Sequence, residues 1–171
     1  MAFFQAIPWH HGEEQMHRKM RVPEQDNPTV PQLSAQAVNM LQRAPLIAVG
    51  TLDEQSRPWT TLWGGDNGLS QPLGQNIIGI RTPVAARLDP VVEALVGTKA
   101  GGGVVRSEGK GKMVGGLAID LETRKRVKLY GRMMAGALSS TPETEEPSED
   151  PAEAGGQGEI QLVIKIEQTL G

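Results

Sequence analysis

The sequence predicts a mainly β fold, a small antiparallel barrel of six strands with two or three short helices. Three observations carry this prediction. Val127 and Leu129 alternate with Arg126, Lys128 and Tyr130 in "RKRVKLYGR" (124–132), the period-two signature of a strand with one buried face, and the apolar run "IQLVIKI" (160–166) reads as a last strand. "LIAVGTL" and "RPWTTLW" flank the turn residues "DEQS", the pattern of a β-hairpin. The few stretches with helical spacing are short, and closing the sheet on itself is the simplest way to hide the edges of so many strands.

Taken in order, residues 1–32 form an N-terminal arm containing Pro8, Pro23, Pro28 and Pro31, with a short helix through "GEEQMHRKM". Ser34 then caps "AQAVNMLQRA", whose Ala37, Val38 and Leu41 share a face, and Pro45 stops that helix. The hairpin 46–52/57–63 follows, with Trp59 and Trp63 read as core. "GGDNGLSQPLGQ" reads as a loop and "NIIGIR" (76–81) as a third strand. Asp89 and Pro90 start a helix that Gly97 ends. Residues 97–112 form a glycine-rich loop, "MVGGLAIDL" (113–121) is a strand, and "ETRK" turns it into the basic strand. The acidic stretch 139–159 reads as a disordered insertion before the last strand, within one domain spanning 33–171.

Composition narrows the function classes. The net charge of −3 hides an asymmetry: seven acids and no lysine or arginine lie between Ser139 and Glu159, leaving 17 basic against 13 acidic residues elsewhere. Nothing in that balance attracts nucleic acid or an anionic membrane. The absence of cysteine removes disulfide and thiolate chemistry and suits a reducing compartment. With neither a signal-peptide pattern nor an apolar run long enough for a membrane span, the expectation is a cytoplasmic protein.

Several familiar chemistries fail on spacing. The glycines between Gly101 and Gly111 lack the P-loop interval and its Ser/Thr, and "GKGKMVG" precedes a strand instead of opening a helix, so a flexible connector is the better reading. "HHGEEQMH" offers His10, His11, His17, Glu13 and Glu14, but not in the order of the zinc-protease helix, and no metal site is expected. No hydroxyl sits in a nucleophile elbow. What remains is positive charge on one strand face, accompanied by Arg81 and Thr82 at one strand end, Thr60 and Thr61 on another strand, and Arg87 before a helix. A solvated face accounts for such a strand; a phosphate held by guanidinium groups, hydroxyls and a helix start accounts for the whole set.

The run "APLIAVGTLDEQSRPWTTLWGGDNG", "NIIGIRTP", "LDPVVEAL" and "GGLAIDLETRKRVKLYGRM" resembles the pyridoxamine 5′-phosphate oxidase-like family of FMN-binding split barrels, and "WHHGEEQMHRK" is similar to the amino-terminal element of its flavin-nucleotide-binding branch. The resemblance implies a six-stranded antiparallel split β-barrel that forms a homodimer with FMN between subunits. It implies phosphate contacts from Thr60, Thr61, Arg81, Thr82 and Arg87, and contacts to the flavin from Lys125 and Arg126. It also implies two-electron oxidoreductase chemistry on a small-molecule substrate, with protein charge tuning the flavin. The chain departs from the family at Gly64, Gly65 and Asp66, where the oxidase has a basic residue, and at Ala86 and Leu88, where it has a hydroxyl and a cation. The alternative is a non-catalytic split-barrel dimer serving interaction or flavin or haem carriage, with His10, His11 or His17 as the axial ligand for haem.

Overall fold

A computed structural model describes residues 6–98, 101, 103–140 and 157–171, with the Ser140 side chain excluded. The order along the chain is α1 (His11–Met20), β1 (Thr29–Val30), α2 (Ala35–Arg43), β2 (Leu46–Leu52), β3 (Pro58–Gly64), β4 (Ser70–Gly74), β5 (Ile77–Ala85), α3 (Pro90–Val96), β6 (Val105–Arg106), β7 (Met113–Ile119), β8 (Arg126–Ser140) and β9 (Gln157–Leu170). All pairings are antiparallel, in the order β3-β2-β7-β8-β9-β5-β4, with β1 added to β9 and β6 to β8.

The six expected strands are β2, β3, β5, β7, β8 and β9, and the three expected helices are present. The sheet has nine strands, however, and is not closed. Its path runs from β3 to β4, and the gap between the unpaired strands β3 and β5 is crossed by the Thr82 hydroxyl donating to the Gly64 carbonyl at 2.6 Å. This gap is the split.

Three boundaries differ from expectation. The stretch read as a loop after Trp63 contains β4, an edge strand that tolerates Pro72. The glycine-rich segment contains β6, two residues paired to Ala135 and Gly136. Strand pairing also runs into the stretch read as disordered, since Ser139 pairs with Glu159 and Ser140 with Gly158; its interior, 141–156, lies outside the described residues. Composition hid all three, because polar and glycine-rich strands show little alternation.

Alternation places the core. Ile47, Val49 and Thr51 of β2, Ile78, Ile80, Thr82 and Val84 of β5, and Ile160, Leu162, Ile164 and Ile166 of β9 point inward and are buried. Helix α2 covers one side with Ala37, Met40 and Leu41; α3 contributes Val91, Val92 and Leu95. The register shifts twice along β8 and β9, at Tyr130/Gly131 and Met133/Ala135, and such bulges bend long strands so that they curl around a core. Gly131 sits at the first, where a Cβ would collide with the Lys165 carbonyl.

Candidate functional site

Where the sheet is split, a cleft of about 280 Å³ is lined by Thr61, Leu62, Gly64, Pro83, Leu88 and Asp89. Its geometry comes from the Asp-Pro helix start. Asp89 is buried as the N-cap of α3, and its Oδ1 accepts from the Val91 and Val92 N–H groups at 2.8 and 3.2 Å. Its Oδ2 accepts from the Thr61 hydroxyl at 2.9 Å and the Trp63 indole N–H at 2.8 Å. One carboxylate therefore ties β3 to α3 and fixes one wall of the cleft.

The seven residues singled out from the sequence fall into separate groups. Thr61 and Thr82 point inward at the split, each with its hydroxyl proton committed, to Asp89 and to the Gly64 carbonyl. Arg87 is exposed between β5 and α3, without an acidic partner among the described residues. Arg81 points to the outer face and pairs with Glu159 at 2.8 Å, and that contact, with the Gln161 amide, holds the Glu159 carboxyl below its ordinary range. Thr60 is exposed on the outer face of β3, opposite Gly50.

Lys125 and Arg126 lie elsewhere. Arg126 opposite Ile119 begins β8, whereas Arg81 aligns through Gln161 with Ala137, eleven residues further along that strand. At ~3.3 Å per residue this is on the order of 30 Å measured along the strand, so Arg81 and the Lys125–Arg126 pair lie toward opposite ends of β8. Lys125 instead borders a groove of about 810 Å³ between α2 and the β7–β8 turn, with Arg43, Asn39 and Asp120. Asp120 accepts from the Thr123 hydroxyl at 2.6 Å and from the Thr123 and Glu122 N–H groups, which keeps its pKa low.

Between the cleft and the basic strand runs a feature the sequence reading missed. The register aligns Leu62, Ala48, Leu117 and Lys128 in one outward row, and Thr60, Gly50, Gly115 and Tyr130 in the next. Ile119 lies two residues beyond Leu117 on the same face, and Leu62 is 63% exposed. The outer surface of β3, β2 and β7 is thus apolar, and Arg126 and Lys128 mark its far border without acidic partners among the described residues. The signal was present as the weak alternation of "LIAVGTL" and "MVGGLAIDL", strands apolar on both faces.

Other residues have structural occupations. Trp63 is core, but Trp59, also expected there, is 39% exposed and donates its indole N–H to Asp53 at 2.9 Å. That bond, with Arg57, lowers the Asp53 pKa to about 2. His10 caps α1 by accepting the Gly12 N–H while its own N–H donates to Glu13, His11 bonds Gln15, and His17 meets the Trp9 ring edge-on at 4.7 Å. No group of three or more His, Asp or Glu side chains suited to a metal lies among the described residues. No helix among them is long and apolar enough to cross a membrane.

The fold and cleft define an antiparallel split barrel of mainly β structure. No protein-family model matches the chain, and no curated protein matches it significantly. Solved structures similar to it include a Lactobacillus delbrueckii protein named provisionally as a pyridoxamine 5′-phosphate oxidase (13% identity, 82% of this chain and 95% of that one, TM-score 0.46). A pyridoxamine 5′-phosphate oxidase-related, FMN-binding protein from Nostoc punctiforme is similar at 11% identity, over 92% and 82% of the two chains, with TM-score 0.37. The haem storage protein HutZ from Vibrio cholerae is similar at 13% identity, over 79% and 95%, with TM-score 0.36.

Proposed function

We propose that this chain is an FMN-binding split barrel that works as a homodimer in two-electron transfer with a small-molecule substrate, in the cytoplasm. The observation that supports this reading is the placement of unpaired cations. Arg87 stands beside the split, and Lys125 and Arg126 stand across an apolar sheet face that a monomer would leave exposed. Exposed apolar patches of this kind mark interaction surfaces, and pairing two copies through it brings the basic strand of one toward the cleft of the other. The proposed dimer resolves the separation of the two cation groups within one chain.

Whether the residues suit the cofactor divides by type. The cations fit: guanidinium groups match a phosphate and carry no competing ion pair at Arg87 or Arg126 among the described residues. The hydroxyls fit less well, because the Thr61 and Thr82 protons are committed and Asp89 already caps the first N–H groups of α3. When bound, the flavin supplies two-electron chemistry at its ring. Arg87 would hold the phosphate, while Lys125 and Arg126 would stabilise negative charge on the ring. Leu62 and Leu88 exclude water at the mouth of the cleft.

Titrating FMN against the protein, followed by quenching of flavin fluorescence, tests this. Saturable binding is expected, weakened about tenfold or more in Arg87→Ala and in Arg126→Ala, since a hydrogen bond to a charged group contributes ~1.5–3 kcal/mol. Absence of saturable binding overturns the reading. It would favour the second one, a non-catalytic split-barrel dimer, which the committed hydroxyls and capped helix start support.

A further inference from the structure

The other half of the sheet carries a groove of about 730 Å³ that is lined by the far end of β8 and by none of Lys125, Arg126 and Lys128 or the apolar outer residues of β2, β3 and β7. Its floor follows from three small residues on the outward side of neighbouring strands. Gly79 of β5 aligns through Val163 of β9 with Ala135 of β8, and Ala137 lies one row along, aligned with Gln161 and Arg81. Side chains of ordinary size there would fill the hollow. Two large apolar residues flank it: Leu73 of β4 leans over Gly79, where a Cβ would come within 3.0 Å of its Cδ1, and Val104 stands at the other side; they are 61% and 60% exposed.

The polar rim decides the chemistry. Arg81 is neutralised by Glu159, and the Gln161 amide donates to the same carboxylate oxygen at 3.0 Å. Among the described residues the guanidinium has N–H groups to offer a carbonyl oxygen beyond its contact with Glu159, and the carbonyl oxygen of Gln161 and the carboxylate of Glu159 remain as acceptors. Asp66 also lines the groove, so with Arg81 and Glu159 its lining carries one net negative charge, which disfavours an anion. A floor of Gly79 and Ala135 on either side of Val163, two apolar flanks and a paired donor–acceptor rim suit an uncharged ring bearing an amide-like edge, and the volume falls within the range of small-molecule sites, ~300–1,000 Å³.

We infer that this groove is a second binding site, for an uncharged aromatic or heteroaromatic carboxamide. The inference is independent of the flavin reading. The test is fluorescence titration with 2-naphthamide, with 2-naphthoate as the charged counterpart of the same shape. Saturable binding of the amide, tighter than that of the carboxylate and undisturbed by excess FMN, is expected. Gly79→Val and Ala135→Val should each weaken it at least tenfold while the thermal melt shows a folded protein. Should Gly79→Val fail to fold, Ala135→Val decides alone, since a β-branched side chain on the outer sheet face is well tolerated. No saturable binding, tighter binding of 2-naphthoate, displacement by FMN, or unchanged affinity in the folded floor variants overturns the inference.

Discussion

The indole N–H of Trp63 donates to the Asp89 carboxylate at 2.8 Å, joining a buried aromatic of β3 to the capping residue of α3. Thr61 donates to the same oxygen, so a single side chain holds the wall of the split and the start of a helix together. Replacing Asp89 with alanine removes a helix cap, ~1 kcal/mol, and leaves a buried indole N–H unpaired, ~1–3 kcal/mol more. The expected loss in urea unfolding is about 2–4 kcal/mol, with Asp89→Asn keeping part of it. A loss under ~0.5 kcal/mol, within the range of ordinary surface substitutions, would show that the carboxylate does not organise the cleft.

Asp53 makes the hairpin sensitive to acid. Its pKa is lowered to about 2, chiefly by the Trp59 indole N–H and also by Arg57. A carboxylate whose folded pKa lies below its unfolded value stabilises the protein fully above the unfolded value, and the contribution disappears as pH falls through the folded one. The stability difference between wild type and Asp53→Asn is therefore expected to be constant above about pH 4 and to shrink as the pH falls toward about 2. Urea midpoints measured at pH 5 and pH 2 would show the opposite trend, or none, were Asp53 not ionised by these contacts.

Gly136 tests the packing of α3 on the sheet. It faces inward on β8, where a Cβ would come within 2.5 Å of Val96 Cγ1 and 2.8 Å of Leu162 Cδ2. Overpacking of a filled core costs ~1–3 kcal/mol, so Gly136→Ala should lower the unfolding midpoint accordingly. An unchanged midpoint would mean that α3 can shift away freely.

The apolar outer face gives a prediction about assembly. Leu62→Asp places a charge at the β3 edge of this face and leaves the inward core untouched, so sedimentation should find a folded monomer where the proposed wild-type dimer is expected. FMN affinity should fall with it, because the cleft then lacks the other copy's basic strand. A wild type that is already monomeric would leave Leu62 without this role and remove the support for a shared site.

Much of the architecture was legible in the residue order. Period-two alternation at the start of β8, the short β-branched runs of β5 and β9 and the cap signals of Ser34 and Asp-Pro at 89–90 are local properties, so six strands and three helices could be read directly. The short strands β1, β4 and β6 could not, because two to five residues with glycine or proline carry no pattern and form only where a neighbouring strand accepts their hydrogen bonds. The cationic and hydroxyl residues of the candidate site were also visible as residue types. Their partners were not: that Thr61 serves Asp89, that Arg81 faces Glu159, and that Lys125 lies beside α2 depend on register across strands distant in sequence. Local chemistry determines which segments become strands and helices. Long-range pairing decides which side chains meet, and so which protons and charges remain free to bind.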